Sequence, residues 1–200
     1  MFRRIVATLM IGFASVSLMA SGPAVTDDRQ TTEAIHKALA RLPYYGVFDF
    51  LAFRYDQGTV TLSGYAYALG LKDDAARAVK RVPGVDEVVN QIEALSVSPN
   101  DDRIRWGTFY RIYNDAFLSR YAPGGGAPVR FDRQFFLARY PGMQPFGNYP
   151  IHIIVRNGRT LLVGSVDFES DKIAAGFRAR EVPGSFGVEN EIVVPQRGTR

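Results

Sequence analysis

Few side chains in this sequence have the types and spacing that chemistry requires. Adjacent carboxylates, the raw material of general acid–base catalysis, occur at Asp73-Asp74 and Asp101-Asp102. Each pair opens an apolar-periodic run, where carboxylates favour the positive end of a helix dipole, so catalysis is not needed to explain them. The histidines are His36 and His152, and neither has clustered carboxylates or a cysteine near it in sequence. A metal site is therefore not expected. Gly124-Gly125-Gly126 resembles a phosphate cradle, but the following Ala127-Pro128-Val129-Arg130 lacks the Gly-Lys-Ser/Thr that a phosphate loop needs. With no nucleophile–base pair either, the residues predict a non-enzyme without metal or cofactor. The absence of Cys also excludes disulfides and a lipoprotein cysteine.

Charge is the remaining chemical signal. Arg outnumbers Lys 20 to 4, and the formal net charge is +4. Arg3 and Arg4 lie in a leader, so the remainder carries 22 basic and 20 acidic groups, or +2. That is too little to argue nucleic-acid binding. The balance is uneven, however. Residues 27–95 hold 8 basic and 10 acidic side chains, residues 101–194 hold 12 and 10, and Arg197 and Arg200 follow. Arg130, Arg133 and Arg139 stand among Phe131, Phe135, Phe136, Tyr140, Phe146 and Tyr149, with Arg103 and Arg111 on the preceding helical run. Arg interleaved with aromatics can bind nucleic acid. No nucleic-acid motif accompanies it here, and an export signal speaks against it. These five arginines are the candidates for an anionic partner.

The elements that must position them occur twice. Ile151 to Val166 reads as a β-hairpin: Ile151, Ile153 and Val155 alternate, Asn157-Gly158 tolerates positive φ in a two-residue turn, and Thr160 to Val163 returns. Subtracting 100 from each number gives Leu51 to Ala66, with Gly58, Leu62 and Gly64 on Gly158, Leu162 and Gly164. The register runs on through Lys72, Ala75, Val82-Pro83-Gly84, Val88, Asn90 and Ile92. That makes 11 identities over positions 51–92, against roughly two or three for an arbitrary offset.

Before the first copy, Arg3-Arg4, an uncharged run from Ile5 to Ala20 and small residues up to Ala24 have the order of an export signal. Cleavage after Ala24 is expected, with an uncleaved anchor as the alternative. A helix is predicted over Thr32 to Leu42 with Thr31 as its N-cap and Pro43 as its stop. After the hairpin comes a helix from Leu71 to Val82, ended by Pro83-Gly84, and a strand from Val85 to Leu95. A helix between the second and third strands permits a right-handed parallel crossover. Residues 96–100 are a short linker.

The second copy begins with a predicted helix over 101–121, its arc filled by Trp106, Phe109, Ile112, Tyr113, Ala116, Phe117 and Tyr121. An insert, residues 122–150, follows; Asp132 to Tyr140 reads as a short helix and the rest as an aromatic loop packed over the domain. A helix over 171–182, capped by Ser170, should turn Ile173 and Phe177 inward, and Val188 to Val194 should close the sheet. Where the first hairpin has Arg54, Thr61 and Ser63, the second has Ile154, Leu161 and Val163. Both faces of the second sheet are thus apolar. The expectation is an interface, covered by the insert, the first domain or a second protomer.

These residues resemble a tandem BON-domain protein. The carriers are Gly58-Thr59-Val60-Thr61-Leu62-Ser63-Gly64, Ala75-Ala76, Val82-Pro83-Gly84-Val85, Val88 and Asn90. In the second copy they are Gly158, Leu162, Gly164, Val182-Pro183-Gly184, Val188 and Asn190, with a departure at Ser185-Phe186. The fold class implied and read is α+β: two BON-like domains, each helix–strand–strand–helix–strand, with a three-stranded mixed sheet backed by two helices. The boundaries are a signal peptide at 1–24, domains at 27–95 and 101–194, and a basic tail at 195–200. The resemblance implies a periplasmic or envelope location and attachment to anionic phospholipid, with an envelope protein or self-association as the alternative partner.

Overall fold

A computed structural model of the chain describes residues 28–123 and 144–195. The leader, the residues 124–143 with Arg130, Arg133, Arg139 and the expected helix at 132–140, and the end of the basic tail lie outside the described residues. The elements run α1 (Asp28–Ala40), β1 (Phe50–Asp56), β2 (Thr59–Ala66), α2 (Leu71–Lys80), β3 (Glu87–Asn90), β4 (Glu93–Ala94), α3 (Pro99–Tyr113), a 3-10 turn (Ser119–Tyr121), β5 (Ile151–Arg156), β6 (Arg159–Ser165), α4 (Glu169–Arg180) and β7 (Gly187–Val193).

Both copies form the α+β unit. In the first, β1 pairs antiparallel with β2, and β3 and β4 pair parallel to β2. In the second, β5 pairs antiparallel with β6, and β7 runs parallel to β6. Two-residue turns close both hairpins. Gln57 and Gly58 have φ of 44° and 84°, and Asn157 and Gly158 have 52° and 73°, the pair of positive values that matches strand twist. Asn90 and Asn190 do the same work 100 residues apart. Each donates from Nδ2 to the carbonyl of Lys72 or Lys172 at 2.8 Å, and each accepts from the amide two residues on. One side chain so ties a helix start to its sheet, and in the first copy the edge strand breaks into β3 and β4 at that point.

Several helical expectations need correction. Helix α1 starts a turn early, at Asp28, so Thr31 is a buried helical residue and not the cap; its hydroxyl reaches the Pro83 carbonyl at 3.5 Å. Helix α3 stops at Tyr113 instead of reaching 121. The Asp115 carboxylate accepts the amides of Phe117 and Leu118 at 2.8 and 3.2 Å, an Asx-type turn that competes with further helix. Phe117, expected on the apolar arc, is therefore 70% exposed. Helix α4 presents Ala175, Gly176 and Ala179 to the sheet, and Ile173 and Phe177 lie outside, 65% and 57% exposed. The reason is proximity: a Cβ on Gly176 would stand 2.7 Å from Asn190 Nδ2, so only small residues fit the inner face.

The larger of two hydrophobic cores spans both copies. Val47, Phe48, Tyr67 and Leu95 of the first join Ile104, Trp106, Phe109, Ile112 and Tyr113 of α3 and the inner residues of the second sheet. Phe48 meets Trp106 and Phe109 edge-on at 5.5 and 6.3 Å between ring centroids, a favoured aromatic geometry. The smaller core belongs to the first copy alone, with Ile35, Val60, Leu62, Leu71, Ala75, Val79 and Ile92 at its centre.

Candidate functional site

Helix α3 is held from three sides. Ser98 caps it, accepting from the Asp101 amide at 3.4 Å, and Pro99 occupies its first position. Asp101 does more than answer the dipole: its carboxylate accepts the Asn157 and Gly158 amides at 3.0 and 2.8 Å and so fastens the second hairpin turn to the helix. Asp102 accepts the Tyr67 hydroxyl at 3.0 Å and pairs with Arg105 at 2.5 Å. Arg105 is fully buried, lies over the Tyr67 ring and donates to the Val155 carbonyl at 2.6 Å. This buried ion pair at the seam between copies was not foreseen, although Asp102 and Arg105 stand at the i, i+3 spacing of a helical pair.

What α3 leaves outside is one narrow stripe. Arg103 and Arg111 are exposed, and with Gly107, Tyr110 and the Val182-Pro183-Gly184 turn they line a single open groove of about 900 Å³. A Cβ at Gly107 would come within 2.9 Å of Val182, so glycine there lets turn and helix touch. Arg103 donates to Asn100 Oδ1 at 2.5 Å, and Arg111 pairs with Glu181 at 2.9 Å. Glu181 also receives Arg178, whose Nε pairs with Asp115 at 2.7 Å. Burial works to raise the Asp115 pKa, but the Phe117 amide and Arg178 outweigh it and lower it, so Asp115 stays ionised. Asp115 and Glu181 thus balance Arg111 and Arg178, and the exposed Arg103 and Arg180 form no ion pair.

Helices α3 and α4 lie side by side on one face of the sheet. Residues pointing away from the sheet therefore share one outer surface. It carries Arg103, Arg111 and Arg180 together with Ile173 and Phe177.

Ile154 and Val163 are 2% and 8% exposed, and Leu161 is half-buried; all three pack with the larger core. Phe50 and Tyr65 of the first copy pack against the same cluster. His152, on the same side, is buried against Tyr45 and Phe50, with ring centroids 5.5 and 5.7 Å away. Burial pulls its pKa down to about 4, against the opposing effect of nearby Gly46 and Asp49 backbone, and keeps it neutral. Around it Asp49 accepts the amides of Gly46, Tyr67 and Ala68 and the side chain of Gln144. Burial nonetheless raises the Asp49 pKa above the usual carboxylate value. Among the described residues no three His, Cys, Asp or Glu side chains cluster as metal ligands would.

The model of the BON domain family matches residues 27–95 and 137–196. The chain belongs to the BON domain family. BON domains are envelope-associated, non-catalytic binding modules that meet membranes or proteins. A search of curated proteins finds no match. Two solved structures of CdsD, a structural protein of the type III secretion system of Chlamydia trachomatis, one of them its C-terminal domain, are similar to this BON protein at 12% identity. They cover 82% and 85% of this chain and 91% and 100% of their own, with TM-scores of 0.26 and 0.27, too distant to bear on this chain's function. No helix among the described residues is long and apolar enough to cross a membrane.

Proposed function

We propose that this BON protein is a non-catalytic envelope module that adsorbs to anionic phospholipid through the helical layer of its second copy. The observation that carries the reading is the pairing of Arg103 and Arg111 along one groove, beside the exposed Ile173 and Phe177 of α4. A planar anionic surface needs such a face: basic groups for headgroups and apolar side chains that enter the interface. Each basic residue near an anionic membrane contributes about 1 kcal/mol, decaying over a Debye length of about 8–10 Å. The insert arginines Arg130, Arg133 and Arg139 remain candidates to add to this attraction. Export by the leader would deliver the protein to the envelope.

Partner binding or self-association through Ile154, Leu161 and Val163 is supported less well, because Ile154 and Val163 are already buried within the chain.

The test is co-sedimentation with phosphatidylglycerol and phosphatidylcholine vesicles at low and high salt. Binding should favour the anionic vesicles and weaken with salt. Arg103→Ala with Arg111→Ala should lower affinity about 5-fold per arginine. Equal binding to both vesicles, or an unchanged double variant, refutes the reading.

A further inference from the structure

The two copies treat the free edge of their hairpins differently. Along β5, Tyr113 donates its hydroxyl to the Ile151 carbonyl at 2.5 Å and accepts the Ile151 amide at 3.3 Å. The Ile153 amide donates to the Val47 carbonyl at 2.8 Å, and Arg105 caps the Val155 carbonyl at 2.6 Å. The segment around Val47, also tied by its own amide to the Pro145 carbonyl at 3.2 Å, completes the edge as a short added strand would.

The equivalent residues of β1 are Leu51, Phe53 and Tyr55. In the β1–β2 register the Asp56–Thr59 pair closes the two-residue turn, so alternate pairs outward from it direct the backbone groups of Tyr55, Phe53 and Leu51 away from β2. Leu51 has the Tyr45 hydroxyl against its amide. Among the described residues Phe53 and Tyr55 have no backbone partner on that edge. Instead, an open cavity of about 650 Å³ runs beside the strand, lined by consecutive β1 residues from Leu51 to Phe53 and walled by Leu39, Leu42, Phe146 and His152. Its lining contains no Asp, Glu, Lys or Arg. Through Tyr45, Phe146 and His152 it is continuous with the seam between the copies.

We infer that the β1 edge accepts an extended, uncharged apolar peptide segment of a partner protein, which pairs with Phe53 and Tyr55 as Val47 pairs with Ile153. Main-chain hydrogen bonds supply affinity in this mode, and flanking apolar walls select the side chains. A charged peptide would lose its hydration in this groove without an opposite charge to meet. The site lies on the first copy and is independent of the basic helical face of the second.

The probe is a capped synthetic peptide with the sequence of residues 44–48, the segment whose pairing with β5 is seen. It is added to the full chain, and backbone amide exchange is followed by NMR. Exchange at Phe53 and Tyr55 should slow about tenfold at a peptide concentration about ten times its dissociation constant. A peptide methylated on its valine nitrogen, unable to donate there, should lose that protection. Unchanged exchange at both amides with millimolar peptide overturns the inference. Equal protection by the methylated peptide or by dodecanoate would make the cavity a hydrocarbon pocket and overturn it too. Protection that rises with protein concentration alone would assign the edge to a second copy of the chain, again against a partner peptide.

Discussion

The two hairpins differ by what stands against them. The outer face of the first carries Arg54, Thr61 and Ser63, and its edge is open; the outer face of the second carries Ile154, Leu161 and Val163, and its edge is closed by Tyr113, Val47 and Arg105. The turns, the register and the Asn brace are the same in both. One backbone unit has thus been kept while the chemistry of one face was exchanged, and the exchanged face is the one that meets the other copy. Shared positions reveal the fold, and differing positions reveal the assembly.

Charging equivalent positions should break this contrast most strongly. Ile154→Asp is expected to cost about 3 kcal/mol or more, because a carboxylate would be buried without a partner. Arg54→Asp, on the exposed strand position, should change stability by no more than about 0.5 kcal/mol. Urea unfolding of both variants decides it; similar costs would mean that the second face is as wet as the first.

Acid should also act on the second hairpin alone. His152 is neutral when folded, with a pKa near 4. An unfolded histidine, with a pKa near 6.5, takes up its proton first. Stability from this group is therefore complete above about pH 6.5 and is lost as pH falls toward 4, by roughly 3 kcal/mol. Asp49, whose pKa is raised, works in the opposite direction at the lower end of that window. The comparison is therefore with His152→Phe, whose unfolding free energy should fall less between pH 6.5 and 4.5. Parallel pH curves for the two proteins would show that His152 titrates freely.

The smallest effect sharpens the likeness. Asn90→Ala and Asn190→Ala each remove a bond to a lysine carbonyl and a bond from an amide two residues on. Each should cost about 1–2 kcal/mol, and the two costs should agree within about 0.5 kcal/mol. Thermal or urea unfolding measures both; a severalfold difference would mean that the braces are alike in geometry only.

Most of the unit was legible because its signals are local. Asn157-Gly158 announces a turn whatever surrounds it, and Val82-Pro83-Gly84 ends a helix in either copy. The misreadings arose where tertiary proximity decides. Nothing local to α4 says that Asn190 crosses beneath Gly176, yet that approach turns Ile173 and Phe177 outward. Likewise Asp115 ends α3 through its own carboxylate, in a run whose apolar spacing continues to Tyr121. For the candidate site, Arg103 and Arg111 were readable as one helical stripe, but the Val182–Gly184 wall that makes a groove of them depends on contacts some 75 residues apart. The buried Arg105 had only its spacing from Asp102 as a sign.

The insertion of Phe48 between the copies bears on how the chain is made. The loop that carries it precedes every strand of the second copy, so during synthesis it is already present when α3 emerges. The second copy's core therefore completes on a surface that the earlier segment supplies, and folding proceeds in the direction of synthesis. Cutting the chain within 96–100 would leave the later half with an empty slot beside Trp106 and an unanswered amide at Ile153. The covalent linker is short, yet the longer-lasting tether between the halves is this aromatic plug.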